Sequence, residues 1–359
     1  MLDDDEIEHP PVECVFTTEE EVGLNGAKAL DKSVLKARTM INMDSEDEGV
    51  ATVSCAGGLR VQFTKEIQRT TVQGSLLTLK VEGLLGGHSG QDIDKERQNA
   101  DLLMARMIQR LLKETKGQLV SFNGGTKDNA IPRECEASLI YESDEEAAKA
   151  EELACELAET YAEELTPAEP DFSCEISCET NRTAEAIPQD AAKEFICAMR
   201  LAPNGIQKRN IKMDGFVVVS LNLGVVRTEE DRIVMIFSPR SSVASLQEDT
   251  KERLNTLAET FGFTVSHSSE YPGWSFKEDS PVREICKESY KELFGEDLKI
   301  EAIHAGLECG LFSDAIKGLD AIAIGPTIAN CHTPDEYLTL DSFERFYEFL
   351  KDILSRLAK

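Results

Sequence analysis

The sequence predicts an α/β protein: an open, mainly parallel sheet domain built from both ends of the chain and interrupted by an inserted α+β domain. Three observations carry this reading. Near the start, short apolar strands that end in carboxylates alternate with a helix, as in sheets whose strands run the same way. From about Gly57 the pattern changes to period-two strands and long amphipathic helices. After residues 271–274 (YPGW) the first style returns. Residues 1–57 with 271–359 therefore form the interrupted domain, and 58–270 the insert.

Element by element, "MLDDDEIEHPP" is an acidic lead-in without a helix start signal, and its proline pair begins a loop. Residues 12–16 (VECVF) read as a short, fully buried strand, which needs neighbours on both sides. Little sequence precedes it, so the expectation is that part of this sheet is missing at the N-terminal side. A helix over 26–35 and a strand over 39–44 follow. In the insert, "LRVQFTKEIQ" and "SLLTLKVEGL" alternate as half-exposed strands do, and a helix spans about 94–115. "GQLVSFNGGTKDNAIPRECEASLIYE" reads as strands around a glycine turn, and 145–164 as an acidic helix. A second round follows: a helix over 189–202, strands over 216–226 and 232–238, a helix over 242–261 and a strand near 264–269. Two successive rounds predict a duplicated α+β unit. The α/β text then closes the chain: helix 281–294, strand 299–303, the glycine-rich turn "HAGLECGLF", strand 320–325 and helix 340–357.

Composition narrows the function classes. The 359 residues carry a net charge of −29, which repels nucleic acid and anionic lipid, so neither is an expected partner. Ten cysteines are scattered along a long chain with no C-x-x-C, so neither a disulfide framework nor a structural zinc site is expected. Cys14, Cys55, Cys135, Cys286 and Cys309 sit in apolar or mixed runs, as buried free thiols do. Cys174 and Cys178 share one face of a strand. No signal peptide or membrane-length apolar run is present, and a reducing cytoplasm is the expected compartment.

Chemistry concentrates at a few places. Glu19, Glu20 and Glu21 follow the first apolar run; on a continuing strand they alternate in direction, so one can bind a metal while its neighbour acts as general base. A solvated acidic loop is the alternative. Asp44, twenty-three positions beyond Glu21, ends the next strand, and adjacent parallel strands bring such carboxylates to one sheet edge. Of the five histidines, His9 reads as structural and His267 as surface. His88, in "GLLGGHSGQD", and His304, in "HAGLECG", fit either a surface loop or a functional site. His332 follows a buried strand at the same kind of edge as Glu21 and Asp44, and is the favoured ligand.

The motifs "TEEEVGLNGA", "NMDSEDEG" with "CAGG", "GLLGGHSG", "FNGGTKDNAIPRE", "YPGW", "IHAGLECGLF" and "GPTI…HTPDE" occur in this order. From Glu13 to the C-terminus the chain resembles the aminoacyl-histidine dipeptidases (Xaa-His or β-alanyl-histidine dipeptidases, carnosinase-like), members of a di-zinc peptidase clan. The resemblance implies a catalytic domain at the two ends of the chain and a lid and dimerisation domain in the insert. It implies two zinc ions, a small peptide substrate and a homodimer. Glu20 matches the general base that takes a proton from the bridging water. Glu21 and His332 match ligands of one zinc and Asp44 a ligand of the other. His88 matches the histidine that polarises the scissile carbonyl, reaching across from a partner subunit. Asn129 and Arg240 match residues that hold substrate, Arg240 as a bidentate carboxylate clamp, and Gly306 a backbone contact to substrate. Two rivals stand beside this reading: another amidohydrolase of the clan (an N-acyl amino acid deacylase or a carboxypeptidase), and a non-catalytic assembly module.

The chain also departs from the family pattern. The positions two beyond the histidines are Pro11, Gly90, Ser269, Gly306 and Pro334, so the family's H-x-D motif is absent, as is its bridging aspartate before the T-E-E segment. A di-zinc centre needs that bridge to hold cations about 3.5–4 Å apart. The expectation is an N-terminally truncated chain with two metal ligands missing, inactive or nearly so on its own.

Overall fold

The computed structural model of the protein describes residues 7–20, 23–211, 215–331 and 333–358. Two compact units form, one from Met1–Gly57, Ser242–Ala244 and Tyr271–Lys359, the other from Gly58–Ser241 and Ser245–Glu270.

The leading segment departs from expectation. Residues 12–16 form no strand, and Val12, Val15 and Phe16 are exposed, Phe16 by 90 %. A strand needs a partner edge for its N–H and C=O groups. This run is pinned instead through the Glu13 carboxylate, which accepts from the backbone N–H groups of Lys36 and Ala37, both at 2.9 Å. Cys14 shares the run and is exposed, not buried as its apolar neighbours suggested. The helix expected over 26–35 is also broken. Helix α1 (Asn25–Ala29) ends where Leu30 turns extended, and the Asp31 side chain then caps a separate 3-10 turn, Lys32–Val34, by accepting from Ser33 N. Strands β1 (Thr39–Asn42) and β2 (Val50–Cys55) follow.

The second unit begins with β3 (Gly57–Glu66), β4 (Thr70–Glu82) and the two-residue β5 (Gly87–His88). Helix α2 (Ala100–Glu114) starts later than the amphipathic pattern suggested. Its N-cap is Asn99, whose side chain accepts from Asp101 N and Leu102 N. Then come β6 (Gln118–Gly124), β7 (Ala130–Ile131), β8 (Cys135–Tyr141), α3 (Asp144–Leu165), β9 (Ser173–Ala186) and α4 (Gln189–Leu201). The unit closes with β10 (Gly205–Asn210), β11 (Phe216–Thr228), β12 (Arg232–Ser241), α5 (Ala244–Thr260) and β13 (Thr264–Tyr271).

One sheet holds the long strands, in the order β13-β3-β12-β11-β6-β8-β4-β9, with β10 alongside β11. It resolves into two βαββαβ motifs. One is β4-α2-β6-β8-α3-β9 and the other β3-α4-β11-β12-α5-β13; each runs fourth, first, third, second strand from its outer edge inward. The two second strands meet at the centre, Val226 of β11 opposite Gly124 of β6. The duplication is thus nested, not two consecutive rounds: β3, the first strand of one motif, precedes the whole of the other. Periodicity in a strand says which face is buried but not which strand lies beside it. Along β4 the alternation buries Leu77, Leu79 and Val81 against Met104, Met107 and Ile108 of α2. Phe122 meets Phe195 of α4 edge-on at 5.4 Å, and Phe63 lies 4.8 Å from Phe237. Fully buried rings of this size each stabilise a core by roughly 3 kcal/mol.

Back in the first unit, α6 (Pro281–Phe294) begins with Ser280 as N-cap, accepting from Arg283 N. Strand β14 (Lys299–Ile303), α7 (Glu308–Ala315), β15 (Asp320–Ala323), β16 (Ile328–Ala329), β17 (Tyr337–Leu338) and α8 (Leu340–Leu357) complete the chain. The sheet order is β1-β15-β2-β14. β1 with β15 and β2 with β14 are parallel; β15 and β2 touch antiparallel through Ala323 and Thr52. Helix α8 turns Phe346, Phe349, Ile353 and Leu354 inward, and Phe349 packs against Tyr290 of α6 at 5.2 Å. Among the described residues no helix is long and apolar enough to cross a membrane.

Candidate active site

In the first unit a groove of about 810 Å³ runs past the leading segment, β1, α7 and α8. Phe312, Ile316, Leu350 and Leu354 give it an apolar wall; the carboxylates of Glu13, Glu20, Asp44 and Glu308 also line it. Glu20 reaches it from a tight turn. Glu19 adopts a left-handed backbone, φ 56°, costly for a residue with a side chain, and Glu20 O accepts from Gly23 N at 3.0 Å and Leu24 N at 2.8 Å. Gly26 is required beside it: a Cβ there would lie 2.3 Å from Thr18 O. Glu19 and Glu20 therefore sit on a turn, and the alternation expected of a continuing strand does not apply to them. Asp44 lies just past the carboxyl end of β1, where its N–H donates to Asn42 Oδ1 at 2.8 Å. Glu308, at the start of α7, accepts from Thr17 Oγ1 at 2.7 Å.

Carboxylates such as Glu20 and Asp44 are suitable oxygen donors for a divalent cation. Among the described residues, however, no three His, Cys, Asp or Glu side chains gather as a metal cage. The expected ligands Glu21 and His332 lie outside the described residues. The described donors make a partial set.

The second unit holds His88, Asn129 and Arg240 close together. β5 pairs with β7, which sets His88 opposite Ala130, next to Asn129; Ser89 N donates to Asn129 O at 2.9 Å. The His88 Nδ1 accepts two backbone N–H groups, from Gln91 at 3.0 Å and Gly90 at 3.3 Å. An imidazole nitrogen that accepts carries no proton, so in the neutral ring the proton sits on Nε2. Burial holds the imidazole below its ordinary pKa, helped by the Arg240 guanidinium and opposed by Asp92. His88 is thus a neutral donor at pH 7, suited to a developing oxyanion. Arg240 is buried on β12, opposite Ser220. Gly87 makes the approach to His88: its φ is 142°, and a Cβ on it would lie 2.8 Å from both Arg97 Nη1 and Asp92 Oδ2. Gly306, in the first unit, packs its Cα face on Tyr271, where a Cβ would lie 2.8 Å from Cε2. His304 is buried just after β14, and His267 is exposed beside Asn255.

Two supporting residues escaped sequence reasoning. Asn222 is buried on β11, and its amide donates to Ala130 O at 2.8 Å and Asp128 O at 3.3 Å, steadying the Asn129 segment. An amide in the middle of the apolar run "FVVVSLNLGVV" was the available signal. Glu169, in the unremarkable "TPAEPDF", is 2 % exposed and accepts from Leu85 N and Gln98 N.

Residues 1–356 match Peptidase family M20/M25/M40. The chain belongs to this family. It is 33 % identical over 363 residues to the cytosol non-specific dipeptidase of Escherichia coli K12, covering 99 % of this chain and 74 % of that protein. The crystal structure of aminoacylhistidine dipeptidase from Vibrio alginolyticus superposes with a TM-score of 0.94 at 34 % identity, covering 99 % of this chain and 72 % of that one. The nested α+β insert and the short mixed sheet are thus an M20/M25/M40 peptidase fold, and the chain is a hydrolase of the peptidase class.

Proposed function

We propose that this chain acts in the metal-dependent hydrolysis of dipeptides, Xaa-His among them, in the cytoplasm. The observation that carries the reading is the sharing of one groove by Glu20 and Asp44 in a chain of the M20/M25/M40 family. A bound divalent cation, with two zinc ions as the proposed complement, supplies electrophilic polarisation of the scissile carbonyl and of the attacking water. Asp44, Glu21 and His332 are the proposed ligands. Glu20 takes the proton from the attacking water and returns it to the leaving amine. His88 donates its Nε2–H to the carbonyl oxygen as negative charge develops there. Arg240 clamps the terminal carboxylate, and Asn129 and Gly306 bind the peptide backbone, which limits the substrate to a dipeptide. A homodimer assembled through the second unit belongs to the same proposal.

The test is hydrolysis of a dipeptide panel, with N-acyl amino acids as the competing class, in added zinc, manganese or cobalt. Expected is chelator-sensitive cleavage of dipeptides, lowered roughly 10²-fold or more by Glu20→Gln. Cleavage indifferent to chelator and to Glu20, or confined to N-acyl amino acids, overturns the proposal.

A further inference from the structure

We propose that Glu169 is a positioning residue for His88, its buried carboxylate fastening both ends of the loop that carries the imidazole. The loop leaves β4, passes through β5 and arrives at the cap of α2. Glu169 Oε2 accepts from Leu85 N at 2.7 Å at one end, and Oε1 accepts from Gln98 N at 2.9 Å at the other. One carboxylate thereby joins two backbone donors thirteen residues apart. Glu169 is itself fixed: its N–H donates to Leu165 O at 2.9 Å, the last residue of α3, and its O accepts from Phe172 N at 3.2 Å. The clamp therefore refers the loop to a helix packed on the core of the second unit.

The loop needs such a reference because its own backbone is poorly constrained by residue type. Gly86, Gly87 and Glu96 have φ of 59°, 142° and 51°; two of these are glycines with the widest choice of alternative conformations in a released chain. Inside the clamp, Asp92 accepts from His88 N at 2.8 Å, and Arg97 donates to Gly86 O. The two N–H groups that fix the His88 tautomer come from Gly90 and Gln91 of the same loop. Opening the base lets those donors drift, and the imidazole loses the arrangement that keeps its proton on Nε2. Two backbone donors call for a charged acceptor with two oxygens. Gln at this place keeps one acceptor and sets an N–H donor against the other backbone N–H.

This inference rests on reading His88 as the group that polarises the carbonyl, so the readout is made independent of turnover. The intact chain is labelled with ¹⁵N-histidine, the His88 signals are assigned by their loss in His88→Gln, and the tautomer is read from the two ring shifts. Hydrogen exchange over 85–98 is measured in parallel. Wild type shows one tautomer, proton on Nε2. Glu169→Ala averages the two tautomers and speeds exchange over 85–98 about tenfold or more, while the amides of α2 and β4 keep their protection. Glu169→Gln, which keeps the side-chain volume, shifts both readouts the same way by a smaller amount and serves if the alanine variant does not fold. An unchanged tautomer and unchanged exchange in a folded Glu169 variant overturn the proposal. Dipeptide turnover that His88→Gln leaves intact sinks the carbonyl-polarising role instead, and the clamp stands or falls on exchange and tautomer.

Discussion

Asp101 gives the most quantitative expectation. It sits in the first turn of α2, just after the His88 loop, and is fully buried. Its carboxyl lies against Gly124, where a Cβ would be only 1.7 Å from Oδ1, and beside the Cys135 thiol. The nearby Arg227 guanidinium is committed to the carbonyls of Gly124, Gly125 and Val226 and offsets little of the desolvation. Burial therefore raises the Asp101 pKa from 3.8 to about 8. A folded-state value above the unfolded one sets the sign. Below pH 3.8 both states hold the proton and nothing is lost. Between 3.8 and about 8 the unfolded chain releases it and the folded chain does not, so stability falls by ~1.4 kcal/mol per pH unit. The cost is on the order of 4 kcal/mol at pH 7 and levels off near 6 kcal/mol above pH 8. Asp101→Asn has the same shape and no titration. Urea unfolding of both proteins from pH 5 to 9 should show the variant's advantage growing with pH up to about 8, then holding constant. Parallel stability profiles, with no growth of the difference, would refute a protonated Asp101.

Other perturbations follow from the same contacts. Asn222→Leu leaves the Asp128 and Ala130 carbonyls without their amide donor, and should lower stability by about 2–3 kcal/mol in urea unfolding. Gly87→Ala combines a φ of 142° with contacts of 2.8 Å to Arg97 and Asp92; a loss of about 2–3 kcal/mol is expected, with faster hydrogen exchange over 85–98.

How much of this was legible in the sequence depends on the range of the interaction that decides each feature. Helix α6 could be read directly: Ser280 and Pro281 start it and Gly295, at φ 76°, stops it, all within its own text. Helix α8 was equally plain from its apolar stripe. The run over 12–16 was misread because apolar, β-branched composition signals a strand only if an edge is available to pair with it. The nesting of the two βαββαβ motifs was hidden because strand pairing across more than a hundred residues leaves no trace in local periodicity. As candidates, Glu20, Asp44, His88, Asn129 and Arg240 could be named from residue type, motif and family resemblance. The residues that hold them could not: Glu169 meets Leu85 across 84 positions, and Asn222 meets Ala130 across 92.

Asp44 is the groove carboxylate proposed to hold a divalent cation, and a crystal grown in zinc tests that claim without reference to turnover. Anomalous scattering at the zinc edge should place metal in the groove, about 2.0–2.2 Å from an Asp44 oxygen, with Glu20 next to it but not coordinating. Zinc found only at surface cysteines or histidines, with none at Asp44, contradicts the claim.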